Sequence, residues 1–267
     1  MKSVKVQCPA KINLDLKVIN KREDGFHNIE SVMQTISLYD YLTISIDSSK
    51  EVNIVLSGTS DEIPYDERNL VYKAVKLFFD EVKIEPVNIN VYIEKNIPIA
   101  AGLAGGSTDA AGTLYGLNKL FDDILSENEL HNLCAKLGSD LNVCLMGGKL
   151  QTSGRGEKVA KLPFEEFSVN LIKPIELGIS AKEAYTKFSH KMTNNIDIER
   201  RNEFVNDLEW AIIDDYSQLL YIKKLYPNSI MTGSGSTYFS VVETFKNEDG
   251  YWVKNDLKSV DSGVCIV

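Results

Sequence analysis

The chain has 267 residues, 43% hydrophobic and 25% charged, with a formal net charge of -9. Such a chain is long enough to bury a core without disulfide or metal staples, as one large domain or two modest ones. The acidic balance disfavours nucleic acid and anionic membranes as partners, but leaves room for a small anion in a locally basic pocket.

In chain order, residues 3–8 and 12–19 have strand character, interrupted by Pro9; Ile12, Leu14, Leu16 and Val18 alternate strictly. Residues 21–25 read as a turn. Two further strands are expected within residues 31–46, and the alternation returns over residues 52–56. Residues 69–82 carry helical spacing, residues 88–93 a strand, and helices are expected over 108–121 and 127–137. Residues 143–162 look β-rich around the turn 153–156, and 169–172 is a strand candidate. Helices over 181–188 and 199–221 precede closing strands at 238–242 and 263–267. A mixed order without regular βαβ alternation argues α+β, with a boundary near residues 156–162.

Cys8, Cys134, Cys144 and Cys265 form no C-x-x-C pair and read as reduced thiols of a cytoplasmic protein. His27, His131 and His190 lack zinc-site spacing. The first residues hold no apolar h-region, and no apolar run reaches the length of a membrane span.

Chemistry concentrates in four places. Residues 98–108, Pro-Ile-Ala-Ala-Gly-Leu-Ala-Gly-Gly-Ser-Thr, lie between a strand and an amphipathic helix. Clustered glycines let successive N–H groups converge on an anion, and the helix start adds its unpaired N–H groups. Ser107 and Thr108 can cap the helix or hold a phosphate or its metal ion. No Lys-Ser/Thr follows the glycines and no G-x-G-x-x-G occurs, so neither a Walker loop nor the dinucleotide fingerprint is present. Lys11 and Asn13 lie in Pro-Ala-Lys-Ile-Asn (9–13), within a start holding six Lys/Arg (2, 5, 11, 17, 21, 22) against Asp15. Lys11 suits phosphate charge; alone it reads better as a solvated strand lysine. Asp140, in Gly-Ser-Asp, suits a hydroxyl-activating carboxylate or an Asx-turn residue. Residues 231–237, Met-Thr-Gly-Ser-Gly-Ser-Thr, form a second glycine-rich turn, able to close over a phosphate or serve as an ordinary loop.

Together these segments resemble the three motifs of the GHMP kinase superfamily, in the right order and across nearly the whole chain. Further segments at 22–28, 66–70, 93–98, 138–140 and 154–157 resemble the branch that phosphorylates a cytidine diphosphate-linked alcohol of the non-mevalonate isoprenoid route. The resemblance implies a two-lobed fold, with a ribosomal-S5-like N-terminal half (1–158) and a ferredoxin-like C-terminal half (159–267). It implies ATP and Mg²⁺ as cofactors, without naming the metal's ligands, and a monomer or homodimer acting on a small molecule. Lys11 and Asp140 match the catalytic pair. The ATP site matches Pro98, Ile99, Ala100, Ala101, Gly102, Leu103, Ala104, Gly105, Gly106, Ser107 and Thr108, with Asn69 and Lys95. The acceptor site matches Asn13, Phe26, His27 and Tyr185 with the turn Gly233, Ser234 and Gly235. Against the pattern of that branch, Ala104 stands for a glycine, Asn142 for a proline that would fix the Asp140 turn, Phe26 for a tyrosine and Ala181 for a threonine. The alternatives are a homoserine, mevalonate or sugar kinase of the same superfamily, or a non-catalytic relative.

Overall fold

The computed structural model describes residues 2–48, 53–84 and 87–267. The first strand runs through Pro9 instead of breaking there. β1 spans Lys2–Asn13, and its pairing slips register between Pro9 and Ala10. A bulge is where a residue without an N–H donor is tolerated inside a sheet. β2 (Lys17–Lys21) turns back into β3 (His27–Ser48). The two strands expected within 31–46 are this one strand, which changes partners along its length.

β4 (Asn53–Gly58) follows; Val52, the first residue of the expected strand, lies outside the described residues. Then come α1 (Leu70–Val82), β5 (Val87–Glu94), α2 (Gly105–Leu120) and α3 (Glu127–Leu137). The stretch expected to be β-rich opens with a short helix, α4 (Leu141–Met146), before β6 (Lys149–Ser153) and β7 (Lys158–Lys161). A short apolar run does not distinguish strand from buried helix, and contact with α2 and α3 decides it here.

The C-terminal part holds β8 (Ser168–Pro174), α5 (Ala181–Thr193), α6 (Asp207–Ile212), α7 (Ser217–Leu225), β9 (Ile230–Met231), β10 (Tyr238–Ser240), β11 (Tyr251–Lys258) and β12 (Cys265–Ile266). The single helix expected over 199–221 is divided. A 3₁₀ segment ends at Phe204 in extended backbone, and Asn206 caps a new helix by accepting from the Leu208 N–H. Tyr216 is again extended before α7. β11 was not expected. It is an edge strand rich in Lys, Asn and Asp, as suits an edge open to water.

The first sheet runs β12-β1-β3-β5-β4, with β2, β6 and β7 attached through the first half of β3. All its pairings are antiparallel except β4 with β5. The second sheet is β11-β8-β10-β9, antiparallel. α1 and α2 cover the first sheet through Val71, Phe78, Leu114 and Leu117 on Leu42, Ile44 and Ile89. α2 reaches β1 closely because Gly112 has no side chain: a Cβ there would stand 2.4 Å from Cys8 Sγ. β8 is buried on both faces. Ile172 packs under α5 and α6, while Val169 and Leu171 meet Ala10, Ile12 and Ile36 of the first sheet. That shared core fixes the two sheets together and leaves a cleft along one side. Among the described residues, no helix is long and apolar enough to cross a membrane.

Candidate active site

The cleft is a cavity of about 890 Å³, lined from both sheets. Its polar end is the loop between β5 and α2. Ala100, Gly102 and Ala104 there take positive φ of 50°, 75° and 61°. For an alanine that conformation costs about 1–2 kcal/mol, so the surrounding contacts must hold it. They do: the Lys11 N–H donates to Leu103 O at 3.1 Å, Ile179 N–H to Ala100 O at 3.3 Å and Thr237 N–H to Ala101 O at 3.3 Å. Only glycine serves at 102, since a Cβ there would lie 2.1 Å from Thr232 O.

The turn at Ala104 starts α2 at Gly105, three residues before the expected start. The first bond of the helix is Thr108 N–H to Ala104 O. The N–H groups of Gly105, Gly106 and Ser107 therefore precede it without helical partners, at the edge of the cavity. With the positive end of a 16-residue helix behind them, they form an anion seat. Pro98, Ala100, Ala101, Gly102 and Ala104 also line the cavity. Ile99, Leu103, Thr108 and Gly235 do not; Leu103 and Thr108 are buried beneath the loop.

Beside this seat, Lys11 is 3% exposed, and its Nζ has three acceptors. It donates to Asn13 Oδ1 at 2.7 Å and Gly102 O at 3.0 Å, and lies 3.4 Å from Asp140 Oδ2. Asp140 precedes α4 but makes no side-chain cap bond, and its carboxylate is 29% exposed toward the cavity. An ordinary cap would spend that group on backbone N–H donors. Asn142 does not loosen the turn: its amide donates to Glu157 O at 2.9 Å and its Oδ1 lies 3.0 Å from His131 Nδ1. The glycine turn of the second sheet closes the other side. Thr232 Oγ1 accepts from the Asn13 N–H at 2.9 Å, and Gly233 and Ser234 line the cavity.

The far end is aromatic. His27, on β3, stacks on Tyr185 of α5 with ring centroids 5.0 Å apart, and meets Phe188 edge-on. Its Nε2 lies 2.9 Å from Ser189 Oγ. Burial, with the charge of Lys21, holds the imidazole below its ordinary pKa and so neutral at pH 7. No base fits between His27 and Tyr185, because their stack is already closed. Phe26 is 52% exposed, with the Arg155 guanidinium 5.0 Å from its ring centroid.

Two expected residues stand behind the site. Asn69 caps α1, accepting from Val71 N–H and donating to Pro64 O. Lys95 is buried in an ion-pair cluster with Asp40 and Asp109, 2.9 Å from the latter. Burial alone would lower its pKa, but the charges of Asp109 and Asp40 outweigh it and hold the ammonium above its ordinary value. Burial pushes Asp109 up to about 7. A Cβ on Gly105 would lie 3.0 Å from Lys95 Nζ, so this cluster sits directly beneath the anion seat.

The basic N-terminal segment does not converge on the cavity. Lys2, Lys5, Lys17 and Arg22 pair with Asp122, Glu94, Asp207 and Asp24, and only Lys11 and Lys21 of that group line it. Conversely, Arg155, Ser189 and Thr232 were not singled out from the sequence. Arg155 and Thr232 lie inside the motifs 154–157 and 231–237; Ser189 carries no signal, because only the packing of α5 on β3 brings it to His27.

The profile of the GHMP kinases N terminal domain matches residues 69–148. A "4-diphosphocytidyl-2-C-methyl-D-erythritol kinase" of Clostridium tetani is 41% identical over 88% of this chain and 90% of its own length. One from Clostridioides difficile is 37% identical over 93% and 89%. Among solved structures, a 4-(cytidine 5'-diphospho)-2C-methyl-D-erythritol kinase superposes with a TM-score of 0.73 at 24% identity, covering 96% of this chain and 99% of its own. A homoserine kinase from Cytophaga hutchinsonii gives 0.71 at 17%, covering 100% and 98%, which shows that the fold reaches beyond one acceptor. The two-lobed α+β fold and the sequence identity together place this chain in the 4-diphosphocytidyl-2-C-methyl-D-erythritol kinase family of the GHMP kinases.

Proposed function

We propose that this chain transfers the γ-phosphoryl group of ATP to the 2-hydroxyl of 4-diphosphocytidyl-2-C-methyl-D-erythritol, as a cytoplasmic enzyme. The observation that carries the reading is one cavity with Lys11 and Asp140 3.4 Å apart between an anion seat and an aromatic end. The names of relatives near 40% identity supply the acceptor.

The ATP phosphates lie against the N–H groups of residues 105–107, with Lys95 and Asn69 supporting the loop from behind. Asp140 orients the acceptor hydroxyl and takes its proton as the new O–P bond forms and the bond from the γ-phosphorus to ADP breaks. Lys11 keeps Asp140 ionised and offsets the charge that develops on the transferring group. Gly233 and Ser234 close over the acceptor's erythritol end. The cytosine lies against the exposed ring of Phe26, with His27 and Tyr185 forming the wall behind.

No group of three or more His, Cys, Asp or Glu able to cage a metal occurs among the described residues. That suits Mg²⁺, which takes most of its ligands from phosphates and water and only one or two from protein. The Ser107 hydroxyl, which lines the cavity at the anion seat, would hold it together with phosphate oxygens and water. Bound there it would neutralise phosphate charge.

ADP release measured with the cytidyl acceptor, homoserine, mevalonate and simple sugars tests the reading. Turnover is expected with the cytidyl acceptor alone. Turnover with another member of the panel instead, or nucleotide binding with no ADP from any acceptor, overturns it.

A further inference from the structure

The acceptor half of the cavity is assembled from segments far apart in sequence. Phe26 and His27 sit on the hairpin between β2 and β3, Tyr185 on α5, and Gly233 and Ser234 on the turn after β9. Two adjacent side chains, Asn206 and Asp207 at the start of α6, reach two of these segments from below. Both are fully buried.

Asn206 caps α6 through Oδ1, which accepts from Leu208 N–H at 2.9 Å. Its amide nitrogen points the other way and donates to Met231 O at 2.7 Å and Gly233 O at 2.8 Å. Both amide protons are thus used on the glycine turn that stands beside Lys11. Asp207 reaches the opposite segment. Its Oδ2 accepts from Val18 N–H at 2.7 Å, and its carboxylate pairs with Arg201 and, at 3.4 Å, with Lys17. Arg201 in turn donates to Val18 O at 2.9 Å and covers Phe188, the ring that meets His27 edge-on. The backbones join too: Asp207 N–H donates to Leu16 O, and Leu16 N–H to Val205 O.

A helix cap needs only Oδ1 of Asn206, and the hydrogen bonds of the Asp207 carboxylate go to Val18 N–H, Lys17 and Arg201 instead of to the backbone of α6. A buried carboxylate with two cations is weak as a source of stability. Its geometric effect is definite: it fixes the β2–β3 hairpin to the second sheet's helices at one register. The shared apolar cluster of Leu16, Val18, Ile29 and Leu208 allows sliding that the ion pair does not.

We propose that Asn206 and Asp207 are positioning residues for the acceptor, a two-armed clamp holding the base-binding hairpin and the glycine turn at a fixed separation. The proposal rests on the kinase reading above. The Asp207 arm sets where Phe26 and His27 stand, and so acts on acceptor affinity. The Asn206 arm sets where Gly233 stands, 3.2 Å from Lys11 Nζ when measured from its would-be Cβ, and so acts on the chemical step.

Steady-state kinetics with both substrates varied, and hydrogen exchange of the hairpin, test it. In Asp207→Asn the KM for the acceptor is expected to rise about tenfold or more, with the KM for ATP changed less than about twofold. Peptides covering residues 17–28 lose exchange protection while β5 and α2 keep theirs. In Asn206→Ala, kcat falls about tenfold or more, with protection of residues 17–28 retained. An unchanged acceptor KM in Asp207→Asn, or both KM values rising together, overturns the clamp, as does an unchanged kcat in Asn206→Ala. Should Asp207→Asn not fold, Arg201→Lys keeps the charge but loses the paired geometry and the bond to Val18 O, and must show the same split. A wild-type protein inactive on the cytidyl acceptor overturns the kinase reading alone; the exchange measurement then decides the clamp.

Discussion

The two ends of the cavity are built by opposite means. At the phosphate end, the groups that face the cavity are mostly backbone N–H, supported from behind by Lys95, Asp40 and Asp109 beneath Gly105. At the acceptor end the ligand-facing groups are side chains, contributed by β3, α5 and the β6–β7 turn. A backbone site is written in a continuous segment, because N–H groups converge only when neighbouring residues take the right φ and ψ. A side-chain site can be gathered from anywhere the fold brings together.

The largest expected effect lies where the two ends meet. Asp140→Asn should lower kcat by about 10²–10⁴-fold if the carboxylate takes the proton. Nucleotide affinity, measured by calorimetry, should stay near the wild-type value, since the anion seat is separate. A mutant turning over at the wild-type rate would break the assignment. Next comes the buried support of the phosphate end. Lys95→Met leaves Asp40 and Asp109 without their cation and should cost about 3–5 kcal/mol of stability, read by urea unfolding. A loss below 1 kcal/mol would mean that the cluster is not what holds the loop.

Phe26→Ala sharpens the contrast from the acceptor side. Losing one stacking face should cost about 1–3 kcal/mol, seen as a higher KM for the cytidyl acceptor with the KM for ATP unchanged. Equal changes in both would mean that the ends are not separable. The smallest effect belongs to the loop's own strain. Ala104 holds φ 61° at the start of α2, so Ala104→Gly should raise stability by about 1 kcal/mol or less. A lower melting temperature would show that the alanine methyl group contributes more in contact than it costs in strain.

Much of the phosphate end was legible in the sequence. The glycine cluster before a periodic helix marked the anion seat, and Lys11 and Asp140 were named, although only the fold brings residues 11 and 140 within 3.4 Å. The helix start was placed three residues late because Ala104 gives no local sign of a left-handed turn; the contacts to Lys11, Ile179 and Thr237 impose the loop's path. The division of residues 199–221 was not legible, because one helical pattern runs across the interruptions at Phe204 and Tyr216. An N-cap such as Asn206 depends on its neighbours in the chain, but its bonds to Met231 O and Gly233 O depend on the fold. The basic start misled for a similar reason. Counting charge along the chain ignores strand direction, and alternation sends Lys2, Lys5 and Lys17 to acidic partners elsewhere.

By itself, the sequence determined the α+β class, the alternating and helical faces that bury the core, and the position of the glycine loop before α2. These depend on periodicity and on residues within about one turn of each other. The tertiary structure alone decided that His27 stacks on Tyr185, that Lys11 stands between Gly102 and Asp140, and that one buried Asn-Asp pair joins hairpin to glycine turn. Each of these rests on contacts between segments well separated in sequence, from 27 residues for Asn206 with Gly233 to 189 for Asp207 with Val18, set by how two sheets share one apolar core.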